Sequence, residues 1–173
     1  PFYALLSALA GLVADPSYRQ AVAFLRFPET RAWLAGEGIS MKAGLLFGEL
    51  DDLLSKRIPV SLRDAVGLAS GDLGNALRKL AGLVGNLRKE PFAATLRNFL
   101  VGATADREFD SEVASDLSYV SLAPLFSEIL DDLDAAGAVS VDLAFSMLLD
   151  SLRSNRVLQR MDPAALPMQG WLE

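Results

Sequence analysis

The chain contains no cysteine and no histidine. That double absence removes Ser-His-Asp and Cys-His catalysis, imidazole or thiolate metal sites, disulfides and thiol redox chemistry in one step. Basic charge is in deficit as well, with 16 Lys+Arg against 22 Asp+Glu and a net charge of −6. A phosphate-binding surface needs a basic face to release counterions, so nucleic acid is excluded as a partner. No run reaches the ~18 uninterrupted apolar residues of a membrane span. No Asn-x-Ser/Thr glycosylation acceptor is present either. Val, Ile and Thr together make up only about a tenth of the chain, which counts against strands. Carboxylate chemistry and simple binding survive these exclusions.

What is present is apolar. The set AVILMFWYC accounts for 51% of the 173 residues and the mean hydropathy is +0.29, above the ~45–50% usual in soluble chains even with Gly counted. One domain of this length buries about 70% of its extended-chain surface. The surplus goes inside a shell, onto a partner or around a ligand. Leu and Ala supply about a third of the residues, and both lose little side-chain freedom in helices. Leu73, Leu77, Leu80, Val84 and Leu87 recur every four and three positions and line one helical face, with Asn75, Arg78, Lys79, Asn86 and Arg88 largely off that stripe. The chain reads as all-α.

Punctuation divides it. Asp15-Pro16, Pro28 and Pro59 can open helices, while Gly36 to Gly38, Ser70-Gly71-Asp72, Lys89-Glu90-Pro91, Thr104 to Arg107, Ala135 to Ser140 and Asp162-Pro163 mark turns. About ten helices follow, over 2–14, 16–26, 28–36, 40–56, 59–70, 72–88, 91–102, 106–117, 120–135 and 140–154. Residues 157–173 read as an irregular tail, with Trp171 packing back on the body. The chain begins at Pro1 without a signal-like segment, as a processed secreted form would.

An internal repeat organises the length. Leu46-Phe47-Gly48-Glu49 and Leu50-Asp51-Asp52-Leu53 recur as Leu125-Phe126-Ser127-Glu128, then Ile129, then Leu130-Asp131-Asp132-Leu133. Ile58-Pro59-Val60-Ser61-Leu62 matches Val139-Ser140-Val141-Asp142-Leu143, and Asp15, Tyr18 and Val22 have the spacing of Asp106, Phe109 and Val113. A single domain of two five-helix pseudo-repeats is expected, about 1–88 and about 89–156, each closing its apolar face on the other.

Several of these marks resemble the insect allergen-repeat family, which includes the cockroach group-1 allergen and fly and mosquito midgut microvillar proteins. Asp15-Pro16-Ser17-Tyr18, Phe24-Leu25, Pro28-Glu29 and Trp33 look like its Asp-Pro-x-aromatic, Leu, Ser-Pro-x-Phe-x-x-Leu/Trp segment. Leu53 to Gly74 and Asp134 to Val141 look like its Leu-x(4)-Gly-Ile-x-Val-x-x-Leu segment. The chain departs from the pattern at Arg57-Ile58, where Gly-Ile is expected, and at Phe27, where Ser is frequent; the second copy has no Pro before its aromatic.

The resemblance implies a non-enzymatic capsule of amphipathic helices around a large apolar cavity that carries fatty acid or phospholipid. A non-covalent pigment, a carotenoid or bilin, fits the same lumen. It also implies a secreted protein of the gut lumen or extracellular fluid that makes transient membrane contact. No resident cofactor is expected beyond the bound ligand. A dry cavity of about a thousand Å³ would cost on the order of 20 kcal/mol, more than the ~5–15 kcal/mol by which a domain is stable. The lumen must therefore be filled, and a 16-carbon chain gains roughly 12 kcal/mol gross on burial. Candidate lining residues are Phe24, Trp33, Phe47, Val66, Leu80, Leu83, Leu87, Phe92, Leu96, Phe99, Phe126, Leu130, Phe145, Leu148 and Leu149.

Two polar signatures compete with this reading. Asp51-Asp52 and Asp131-Asp132 could serve a carboxylate-dependent hydrolase, but neighbours on a helix diverge by about 100° and do not converge on one substrate. Arg78, Lys79, Arg88 and Lys89 cluster around a helix end, extendable by Arg97 and Arg107, and could dock an anionic head group. A membrane-active helical module is the third reading.

Overall fold

The computed structural model describes residues 1–160 except 90, 106, 111, 112 and 138, with backbone alone at 114, 115 and 155–160. Among the described residues there are nine helices and no strand: α1 (Phe2–Ala14), α2 (Tyr18–Leu25), α3 (Pro28–Gly36), α4 (Ala43–Arg57), α5 (Leu62–Leu68), α6 (Gly71–Lys89), α7 (Phe92–Thr104), α8 (Ala114–Ala136) and α9 (Val141–Arg160). The all-α expectation is met. The tail beyond 160, including the expected packing of Trp171, lies outside the described residues, and 157–160 continue α9 instead of opening an irregular tail.

Local chemistry explains most helix starts. Pro28 opens α3 at its first position, where its fixed φ is already helical and its missing N–H has no partner to lose. The Ser61 hydroxyl accepts from the Asp64 N–H at 3.0 Å while the Asp64 carboxylate accepts from the Ser61 N–H at 3.0 Å, a reciprocal cap on α5. Two Pro turns behave differently from their local signals. Pro16 and Pro59 do not start helices; the two turns pair with each other through a Ser17–Ser61 bridge. The Tyr18 N–H donates to the Val60 carbonyl at 2.9 Å, and the Leu62 N–H donates to the Pro16 carbonyl at 2.8 Å. Long-range pairing delays both helices by two or three residues.

The expected helices 106–117 and 120–135 are corrected to one. Residues 107–110 are not helical, and α8 runs unbroken through Pro124. Proline there removes one N–H and frees the carbonyl four residues back, on Val120. Both positions are exposed, so solvent can satisfy that carbonyl and the helix continues.

The centre of the fold belongs to α1. Its large apolar residues form one inward stripe while the small Ala4, Ser7 and Ala14 stay exposed, and it packs against α2, α6, α8 and α9. Leu5, Leu6, Leu9 and Leu12 retain no uncovered surface, and Phe2 stacks against Tyr119 and Phe126 with centroids 5.1 and 5.3 Å apart. Helices from both halves of the chain therefore close on α1. Among the described residues, side chains of α1 lie between helices of the two halves.

The repeated segments share a burial pattern at a constant offset. Leu46, Leu50 and Leu53 on α4 are buried, as are Phe126, Leu130 and Leu133 on α8, each 80 positions later. In that register Phe47 matches Ser127, outside the core, where the Arg26 and Arg31 guanidinium groups lie 5.9 and 5.7 Å from its ring centre. The copies diverge beyond this point, since α5 has 7 residues and α9 has 20. Among the described residues α2 has no helical counterpart near Phe109.

Tyr18 ties α2 to α4 by donating its hydroxyl to the Leu50 carbonyl at 2.7 Å. Burial, reinforced by the Asp51 charge, pushes its phenol from 10.0 up to about 12. The neutral phenol is thus favoured by folding; its stabilisation is complete below about pH 10 and is lost as pH rises from there to about 12. Stability measured across this alkaline range should fall, and Tyr18→Phe should flatten the fall.

Ile58 ends α4 in the left-handed region at φ 48°, ψ 55°. A β-branched residue is strained there by about 1–2 kcal/mol. Ile58→Gly should raise stability by about 1 kcal/mol in urea unfolding, and a loss of stability would contradict the assignment of strain.

Candidate functional site

The arrangement of α3, α6 and α7 leaves an open groove of about 750 Å³. α3 lies along α7 so closely that a Cβ at Gly102 would stand 3.0 Å from Trp33 Cδ1. The Trp33 ring meets Phe99 edge-on at 5.4 Å, and Phe99 in turn contacts Phe24 at 5.7 Å, so the groove floor is continuous with the core. Trp33, Ile39, Leu83 and Phe99 form that floor.

The rim is polar. One face of α6 presents Asn75, Arg78, Lys79, Gly82 and Asn86, and α7 presents Thr95 and Asn98. Lys79 bridges to Glu37 on the α3 side, and Arg78 donates to the Asn75 amide oxygen at 2.6 Å. The Asn86 and Asn98 amides and the Trp33 indole N–H have no hydrogen-bond partner among the described residues. Gly82 sits at the edge with nothing within 4 Å of where its Cβ would be. Chemically this is an apolar strip beneath a donor-rich edge.

A second groove of about 560 Å³ lies where α6, α7, α8 and α9 meet. Leu87, Phe92, Leu133, Val139 and Val141 line it together with Arg88, Lys89 and Asp134.

The fifteen residues proposed from sequence to line a cavity separate into distinct environments. Trp33, Leu83 and Phe99 line the first groove, and Leu87 and Phe92 line the second. Phe24, Leu80, Leu96, Leu130 and Leu148 are packed with at most a trace of uncovered surface. Phe126 is buried against Phe2, and Phe145 against Phe92 with centroids 4.9 Å apart. Phe47, Val66 and Leu149 are half-buried at the edge of the core. Periodicity identifies an inward face but does not distinguish protein from ligand as its neighbour, which is why core positions entered the set.

The groove's polar residues were not singled out as a site. Three of the chain's four asparagines lie on its rim. On α6 the polar face could have been noticed from Asn75, Arg78, Lys79, Gly82 and Asn86, but one helix alone reads as a solvated surface. It becomes a wall only when α3 and α7 stand opposite.

The basic cluster is corrected by its partners. Arg88 donates to the Val13 carbonyl, Lys79 pairs with Glu37, and Arg97 binds Asp131 at 2.7 Å and Asp134 at 3.1 Å. Arg97 and Arg107 therefore do not extend a free cationic field. Asp131 serves to hold α7 to α8, while Asp52 pairs with Lys56 one turn along α4 at 2.7 Å. Among the described residues no three carboxylates gather as a metal site, and no helix is long and apolar enough to cross a membrane.

Arg107 anchors the segment before α8. It binds Glu29 Oε1 on α3 at 2.8 Å and the Asp116 carboxylate, and its guanidinium lies 4.9 Å from the Tyr119 ring centre. Tyr119 donates to the same Glu29 oxygen at 2.6 Å. Burial, with that hydrogen bond to Glu29 and its charge, raises the Tyr119 phenol well above its ordinary range. Glu29 and Asp116 side chains are 5% and 11% exposed, so each needs its cation. This cluster clamps α3 to α8, with one Glu29 carboxylate oxygen shared by Arg107 and Tyr119.

Compared with models of known protein families, with curated proteins and with solved structures, the chain matched none.

Arg107→Met leaves two covered carboxylates without their cation and should cost about 3 kcal/mol, a fall of roughly 6–12 °C in Tm for this length. Thermal unfolding by circular dichroism measures it. Adding Glu29→Gln and Asp116→Asn should restore much of the loss; a cost below about 1 kcal/mol would mark the cluster as solvated.

Proposed function

We propose that this chain binds and carries a small amphiphile, with the apolar body on Trp33, Ile39, Leu83 and Phe99 and the polar head at the α6–α7 rim. The observation that carries the reading is the juxtaposition of an apolar floor with the Trp33 indole N–H and the Asn86 and Asn98 amides, which have no hydrogen-bond partner among the described residues. A groove of about 750 Å³ is in the range of small-molecule sites, roughly 300–1,000 Å³. Each methylene removed from water contributes about 0.8 kcal/mol, and an acceptor-bearing head such as a carboxylate would satisfy the rim. A fatty acid meets both demands with one chain.

The reading moves the ligand from a central lumen to a surface groove, because α1 occupies the centre. The order of aromatic, Pro and Gly marks supports kinship with the insect allergen-repeat proteins as part of this proposal. Secretion into a gut or extracellular fluid belongs to it as well, as does a carrier without catalytic turnover.

Gly82 supplies the test. Gly82 lines the groove and a Cβ there would meet nothing within 4 Å beyond its own helix backbone, and replacing a helical Gly with Leu should stabilise α6 by about 0.5–1 kcal/mol. In a Trp171→Phe background, Trp33 fluorescence titrated with oleate should saturate at one equivalent. Gly82→Leu should weaken binding at least about tenfold while raising Tm. A flat titration, or equal affinity in the Leu variant, would remove the groove from consideration.

A further inference from the structure

The α4–α5 corner combines exposure, strain and charge in a way that neither the groove nor the core requires. Ile58 and Val60 are the most exposed large aliphatic side chains among the described residues, at 73% and 77%, and Leu54 one turn earlier is 47% exposed. They cannot fold away. Pro59 between them is buried, the Val60 carbonyl is held by the Tyr18 N–H, and the Leu62 N–H is held by the Pro16 carbonyl. Ile58 itself stands in the left-handed region. Strain kept at an exposed apolar residue points to a use outside the fold.

Charge indicates the use. Residues 54–63 contain Lys56, Arg57 and Arg63 and no acidic residue, in a chain of net charge −6. Arg19, in the first turn of α2 after the paired turn, is exposed as well. Of the nearby acids, Asp64 is engaged in the α5 cap, Asp52 pairs with Lys56 at the surface, Asp51 lies close enough to Tyr18 to act on its phenol, and Asp15 lies on the paired turn. Two copies of this chain meeting through the corner would set cations against cations, which disfavours self-association.

We propose that this corner docks on an anionic lipid surface, with Ile58 and Val60 entering the head-group layer and Lys56, Arg57 and Arg63 facing the lipid charge. Exposed aliphatic side chains flanked in sequence by cations combine apolar burial with attraction to anionic lipid. The inference stands apart from the groove, which lies on α3, α6 and α7.

The full chain should co-sediment with phosphatidylcholine vesicles containing about a third phosphatidylserine, much less with phosphatidylcholine alone, and less as salt rises. The Ile58→Gly, Val60→Ser double variant should bind about tenfold more weakly although Ile58→Gly stabilises the fold, so lost binding cannot be ascribed to unfolding. Lys56→Gln, Arg57→Gln and Arg63→Gln together should abolish the preference for anionic vesicles. Gly82→Leu should bind vesicles like the parent, which separates this result from the fate of the groove. Absence of binding to anionic vesicles, equal binding to neutral ones, or an unchanged double variant overturns the proposal. So does sedimentation equilibrium showing a dimer that the double variant dissociates.

Discussion

A first helix with almost no polar face governs this structure. α1 presents Phe2, Leu5, Leu6, Leu9, Leu12 and Val13 along one broad inward stripe, with Ala4, Ser7 and Ala14 on the exposed side. Desolvating that stripe takes several partners, and α2, α6, α8 and α9 provide them. Much of the apolar surplus that composition reveals is thereby buried within the chain. Close packing around α1 leaves Leu80, Leu130 and Leu148 with neighbours in every direction, as protein interiors generally require.

The groove is what remains when three helices satisfy that centre. α3 presses onto α7 through the Gly102–Trp33 approach, and α6 faces them across a gap bridged by Lys79 and Glu37. Leu77, Leu80 and Val84 turn inward from α6, so Asn75, Arg78, Gly82 and Asn86 are placed on the open side. Inner stripe and groove wall are two faces of one amphipathic helix.

Charge does structural service in most of the molecule. Arg107, Arg97 and Lys79 each join helices distant in sequence, to Glu29, Asp131 and Glu37 respectively. Only the Arg107 cluster involves covered carboxylates, and there the geometry of α3 and α8 depends on keeping the cation. At the α4–α5 corner, by contrast, Lys56, Arg57 and Arg63 flank in sequence the exposed aliphatic side chains of Ile58 and Val60.

Local chemistry in the sequence was sufficient for the helical class, for the inward stripe of α6, for the Pro28 start and for the turn at Gly71. Each rests on backbone preference or side-chain period within a few residues. Other features depended on residues far apart. Pro16 and Pro59 failed to start helices because their turns hydrogen-bond to each other. Pro124 failed to end one because its freed carbonyl faces solvent. The cavity residues were legible as apolar and inward, but whether Leu80 meets a ligand or Leu9 is decided by where α1 lies. The groove rim was invisible for the same reason: Asn86 and Asn98 become one edge only when two helices are brought side by side. Sequence carries period and preference along one axis, whereas a site is an intersection of several axes, and packing alone selects that intersection.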